Sequence, residues 1–142
     1  CMVAPYMIDS AHPLCGVNGV FNGIFLHGNA LGDAMFYGSG AGKLPTASAV
    51  VADVVDMARH QHTNIYIDWK PEKLTLVSYD DSVNRFFVRT DSPKEEVEKI
   101  FGNVSYVENV VDGEYGFTTE AMAEKDFAAK ADKINVINRI RL

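Results

Sequence analysis

Apolar and aromatic side chains crowd into two short runs near the start of the chain. The first is Val20, Phe21, Ile24, Phe25 and Leu26; the second is Leu31 followed by Met35, Phe36 and Tyr37. Runs this short suit strands better than helices. The intervening Gly28-Asn29-Ala30 supplies turn residues, so residues 19–27 and 31–37 are predicted to pair as a hairpin. The period then changes. Ala47, Val50, Val51, Val54 and Ala58 fall three or four apart, while Asp53, Asp56 and Arg59 lie mostly off that stripe. This predicts a helix with one apolar face packed on something, and Pro45 suits its first turn.

Upstream, residues 1–8 carry the strand formers Val3, Tyr6 and Ile8, with Pro5 pointing to an edge or a bulge. Residues 9–18 read as a connection broken by Pro13 and Gly16. Residues 61–81 read as a linker with some strand character, in which Ile65, Tyr66, Ile67 and Trp69 could pair along an edge before Pro71 and Asp80-Asp81 interrupt. Trp69 is expected as a packing anchor rather than a ligand platform.

Residues 83–142 spell a β-α-β-β-α-β order, the ferredoxin-like unit. Residues 83–89 are a strand. Ser92 is expected to cap a helix, with Pro93 at its first position, Glu95 completing a capping box, and Val97, Ile100 and Phe101 on its apolar face. Residues 104–111 and 114–119 are strands joined by an Asp112-Gly113 turn. Residues 123–134 make a helix with Phe127, Ala128, Ala131 and Ile134 on one side, and residues 136–142 close as a strand. The fold class expected is α+β, a partial sheet with a long helix followed by this unit.

Composition narrows the functions. The chain has 142 residues, 47% of them hydrophobic, and a net charge of −6. That fits a globular chain with a core and argues against a nucleic-acid partner, which would want a basic face. No apolar run is long enough to cross a bilayer, and residues 1–8 lack the charged head and cleavage site of a signal peptide. The two cysteines, Cys1 and Cys15, show neither metal spacing nor a disulfide framework, and reduced thiols are expected. A chain opening on Cys1 is expected to be a piece of something longer.

The candidate chemistry lies where the hairpin meets the long helix, at Gly38-Ser39-Gly40-Ala41-Gly42. Glycines free the backbone and remove side chains that would keep a ligand away, and a helix start can hold an anion such as a dinucleotide's phosphates. Two motifs are excluded. A P-loop needs Ser or Thr after Gly-Lys, and Leu44 follows Gly42-Lys43. A Rossmann fingerprint needs Gly-x-Gly-x-x-Gly, and this spacing is one residue too short. Spacing alone favours a simple strand-to-helix turn over a ligand loop. The histidines point elsewhere. His12 precedes Pro13 and is expected to stabilise a turn. His60 and His62 sit at and just past the helix end, where a partly positive imidazole complements the dipole. Their spacing does not place both on one helix face. Asp53 and Asp56 lack a third ligand, so no metal site is expected.

The segments Phe36-Tyr37-Gly38-Ser39-Gly40-Ala41-Gly42 and Pro45-Thr46-Ala47-Ser48-Ala49-Val50-Val51-Ala52-Asp53 resemble the C-terminal part of the catalytic domain of homoserine dehydrogenases. So does the upstream His12-Pro13-Leu14-Cys15-Gly16-Val17-Asn18-Gly19-Val20-Phe21-Asn22. The resemblance covers about the first sixty residues. It departs from the family at Ser39 and Cys15, neither tied to a catalytic role.

The resemblance implies an oxidoreductase that interconverts L-homoserine and L-aspartate 4-semialdehyde with NAD or NADP. Such an enzyme would be cytoplasmic, homo-oligomeric and part of threonine, methionine and isoleucine synthesis. It implies residues 1–62 as the end of a catalytic domain, 63–82 as a linker and 83–142 as a unit similar to an ACT domain. One cofactor contact carries over, Gly42, with Gly40 and Ala41 shaping the same wall. Lys43 is expected to face solvent. The Rossmann domain and the proton-transferring lysine would lie upstream, so no catalytic residue is expected here, and the piece alone should be inactive. In ACT domains the first strand leads into Asp-x-Pro-Gly. Here Asp91-Ser92-Pro93-Lys94 puts lysine in the glycine's place, which favours a structural or dimerising role over an amino-acid sensor.

Overall fold

The structure, a computed structural model, describes residues 1–107 and 111–142. These divide into two compact units, one made of residues 9–72 and the other of Cys1–Ile8 with Lys73–Leu142.

In the 9–72 unit, a short 3-10 turn at Pro13–Gly16 precedes the strands β1 (Phe21–Gly28) and β2 (Gly32–Ser39). They pair antiparallel from Phe21 opposite Ser39 to Gly28 opposite Gly32, the hairpin that the two apolar runs predict. Helix α1 (Lys43–Arg59) follows, with Pro45 in its first turn. Its apolar stripe forms as expected, but no residue of α1 is buried. The expectation that the stripe packs on something is not met within this unit: Val50, Val51 and Val54 all stay exposed. Residues 63–78 hold no strand, so the edge pairing expected of Ile65, Tyr66, Ile67 and Trp69 is absent. Trp69 is 84% exposed and anchors nothing here.

The other unit begins with residues 1–8, which were expected as a strand with an edge or a bulge at Pro5. They contribute one parallel bridge instead, Tyr6 to Arg141, where the Met7 N–H donates to the Arg141 carbonyl at 2.7 Å. The last strand of the C-terminal sheet has an open outer edge, and those backbone groups need partners.

Past a 3-10 turn at Tyr79–Asp81, the strand expected over 83–89 is split. β3 (Val83–Asn84) pairs with the later β7 (Met122–Ala123), and β4 (Phe86–Thr90) enters the main sheet. Then come α2 (Lys94–Phe101), β5 (Ser105–Val107), β6 (Tyr115–Thr118), β7, α3 (Glu124–Ala131) and β8 (Val136–Arg141). The sheet order is β5-β6-β4-β8 with every neighbour antiparallel, the arrangement expected of β-α-β-β-α-β. The Asp112-Gly113 turn is present: the Glu114 N–H donates to the Val111 carbonyl at 3.2 Å and Gly113 has φ +82°. Part of the strand expected over 104–111 lies outside the described residues.

The capping box is not formed. Pro93 is the cap residue of α2 and no side chain caps the helix. Ser92 Oγ instead accepts from the Asn135 N–H at 2.9 Å, stitching the end of β4 to the residue before β8. A long-range partner has taken the hydroxyl that local spacing assigned to the helix.

The core of this unit is Phe86, Val88, Val97, Phe101, Phe117 and Phe127. Alternation along β4 turns Phe86, Val88 and Thr90 toward α2 and α3, where all three are fully buried. Phe86 and Phe127 stack with ring centroids 4.0 Å apart, and Phe101 meets Phe117 edge-on at 5.2 Å.

Candidate functional site

Three residues, Gly40, Ala41 and Gly42, carry the chain from β2 into α1, and all three are exposed. Gly42 has φ +115° and ψ +154°, a backbone region open in practice to glycine alone. Its carbonyl accepts from the Thr46 N–H at 3.2 Å and so closes the first helical turn. No side chain caps α1, so its leading N–H groups are free to face an anion or a polar ligand.

Gly40 has a second reason to lack a side chain. A Cβ there would overlap the amide of Asn22 on β1 and stand 2.8 Å from its Cγ. Close packing within the hairpin therefore accounts for Gly40, whereas the backbone conformation accounts for Gly42. The turn is exposed and offers a ligand backbone N–H groups with no bulky side chain. Lys43 is exposed beside it.

The His12 imidazole accepts from the Leu14 N–H at 3.2 Å and holds the Pro13–Gly16 turn. His27 faces Asp33 across the hairpin with Nδ1 and Oδ1 2.5 Å apart. At the end of α1, His60 Nδ1 lies 2.9 Å from the Asp56 carbonyl. Among the described residues, no group of three His, Cys, Asp or Glu side chains could hold a metal.

In the C-terminal unit, the turn after β4 is tied to its own surroundings. Thr90 Oγ1 donates to the Asn135 carbonyl at 2.6 Å and accepts from the Ser92 N–H at 3.0 Å. The Asn135 amide donates to Asp91 Oδ1 at 2.9 Å. The Tyr115 hydroxyl donates to the Ser92 carbonyl at 2.7 Å. The Tyr106 hydroxyl lies 3.0 Å from Glu98 Oε1 and 3.3 Å from the Lys94 carbonyl. Burial first, and then the hydrogen bond to Glu98, push the Tyr106 phenol up to about 12.

Sequence reasoning missed a buried polar cluster. Arg141 donates from Nε to Glu124 Oε1 at 2.5 Å and from Nη2 to Oε2 at 3.0 Å, and its Nη2 also contacts the Tyr79 hydroxyl. Tyr79 donates to Glu124 Oε2 at 3.0 Å, and the Asn84 amide donates to Oε1 at 3.1 Å. Burial alone would raise the Glu124 carboxyl. Hydrogen bonds from Arg141 and Tyr79, with the Arg141 and Arg139 charges, outweigh it and hold the group below its usual range. Helical spacing was the available signal, because Glu124 precedes the core residue Phe127 by three positions and shares its face.

Comparison with known proteins bears on the glycine turn. Residues 1–55 match the family model described as homoserine dehydrogenase. A homoserine dehydrogenase of Lactococcus lactis is 34% identical over 94 residues, which is 64% of this chain and 22% of that protein. One from Synechocystis is 56% identical over 55 residues, 39% of this chain and 13% of that protein. Among solved structures, a homoserine dehydrogenase from Thiobacillus denitrificans aligns over 98% of this chain and 38% of its own, with a TM-score of 0.77 and 26% identity. The S. aureus homoserine dehydrogenase at pH 7.0 aligns over 94% of this chain and 35% of its own, with a TM-score of 0.63 and 25% identity. The chain thus spans about a fifth or less of the length of these two curated relatives.

Proposed function

We propose, for a chain that belongs to the homoserine dehydrogenase family and is a fragment of such an enzyme, that it forms the C-terminal portion of a dehydrogenase interconverting L-homoserine and L-aspartate 4-semialdehyde. The observation that carries this reading is the exposed Gly40-Ala41-Gly42 turn at an uncapped helix start, within the stretch that matches the family. Gly42 would supply backbone contact to a bound nicotinamide dinucleotide, NAD or NADP, and Gly40 and Ala41 would form the wall beside it. The dinucleotide, when bound, accepts or returns the hydride. What this chain adds is positional: a rigid backbone edge and the first turn of α1.

Residues 1–62 would complete the catalytic domain, 63–82 would link, and 83–142 would serve as an ACT-like unit for assembly of a homo-oligomer. Among the described residues no helix is long and apolar enough to cross a membrane; the complete enzyme would act in cytoplasmic amino-acid biosynthesis. The test is to assay the 142-residue chain and the complete reading frame for homoserine oxidation with NAD and with NADP. Turnover by the complete protein and none by the fragment is expected. Turnover by the fragment itself would overturn the division of roles.

A further inference from the structure

We propose that Tyr106 and Tyr115, beside Glu98, form a binding site for a primary ammonium group, and that the chain's own Lys94 occupies it as a tethered ligand. The Lys94 ammonium stands 4.7 Å from the centroid of the Tyr106 ring and 5.6 Å from that of Tyr115. Both distances lie within the reach of a cation–π contact, about 6 Å. The two rings meet edge to face, with centroids 5.6 Å apart and planes at 63°.

Neither ring depends on the lysine side chain for its position. Tyr115 is pinned through its hydroxyl to the Ser92 carbonyl, and Tyr106 through its hydroxyl to Glu98 and the Lys94 carbonyl. The rings are therefore set in place before any cation arrives, which lowers the cost of binding one. The Glu98 carboxylate, 3.0 Å from the Tyr106 hydroxyl, adds negative charge beside that ring.

Lys94 is the first residue of α2, and its backbone is held by the helix. A tethered group competes at an effective concentration on the order of mM. A free amine or amino acid must exceed that to displace it, so the native chain is insensitive to amines at lower concentrations. This inference stands on the side-chain cluster alone and goes beyond the dehydrogenase assignment.

The experiment titrates methylammonium chloride, against a sodium chloride control, into the 142-residue chain and its Lys94→Ala and Lys94→Gln variants. The ring proton shifts of Tyr106 and Tyr115 are the readout. Lys94 is exposed, so both variants keep the core. Both should show saturable shifts at those two rings at a lower methylammonium concentration than the parent chain needs, and adding Tyr106→Leu should abolish the shift at Tyr115. Equal titrations in all three proteins overturn the proposal. So does the absence of saturable shifts in both variants, or saturation that maps away from the two rings.

Discussion

Phe127 and Phe36 are both aromatic residues set in regular structure, yet Phe127 is wholly buried and Phe36 is 63% exposed. The difference lies in what surrounds each. Phe127 sits on a helix above a four-stranded sheet, with a second helix beside it. Phe36 sits on a two-stranded hairpin, which has too little surface to enclose either of its faces. The C-terminal unit therefore closes a core from its own residues, whereas β1, β2 and α1 contain no buried residue. In the 9–72 unit the apolar stripe of α1 and the strand residues Ile24, Leu26 and Phe36 are all left exposed. Exposed apolar faces of that kind mark surfaces that pack on a partner, and the chain covers 38% of its Thiobacillus structural relative.

The contrast can be broken most sharply at Phe127. Phe127→Ala should cost the C-terminal unit about 3–5 kcal/mol, read as loss of its cooperative thermal transition. Phe36→Ala in the hairpin should shift that transition by no more than about 0.5 kcal/mol. Equal effects would show that the two units do not differ in this way.

Next in size is the buried ion pair. Glu124→Gln leaves the Arg141 guanidinium without its charge partner and should cost about 3 kcal/mol, measured by urea denaturation at neutral pH. The same pair predicts acid sensitivity. The Glu124 carboxyl is held below its usual value in the folded state. Its contribution is therefore fully present above the unfolded carboxyl's ordinary range, and it is lost as pH falls through the lower folded value. Glu124→Gln should remove that portion of the acid transition, and an unchanged acid profile would refute the linkage.

A smaller effect is expected at Gly42. Gly42→Ala forces a side chain onto a positive φ and should cost about 1–3 kcal/mol locally, seen as reduced far-UV helical signal from α1. In the complete enzyme the same variant should raise the coenzyme KM. The smallest effect is expected on the open stripe. Val54→Ser should change stability by about 0.5 kcal/mol or less and lower any concentration-dependent association seen by light scattering. A large loss of stability would mean that α1 is covered after all.

Elements whose partners lie nearby in sequence were legible. The hairpin could be read from two apolar runs around Gly28-Asn29-Ala30, α1 from the spacing of Ala47 through Ala58, and the β-α-β-β-α-β order from alternating runs and turns. Ser92 was misread because its partner, Asn135, is forty-three residues away. The strand over 83–89 was misread as continuous because its first two residues pair with Met122 and Ala123 rather than with the main sheet. The glycine turn could be located from its residues, but not the separate reasons for its glycines. Asn22 crowds Gly40, while Gly42 answers to its own φ.

The order of residues by itself determined the hairpin, α1 and the β-α-β-β-α-β order, and which faces are apolar, because these follow from local sterics and from the periods of helix and strand. It also carried the similarity to homoserine dehydrogenases, since residues 1–55 match that family's model. Tertiary structure alone decided which apolar faces are enclosed, that residues 1–8 bridge to Arg141, and that Glu124 and Arg141 meet in a buried pair. Those outcomes depend on surfaces brought together across the chain, and no local period records which surfaces meet.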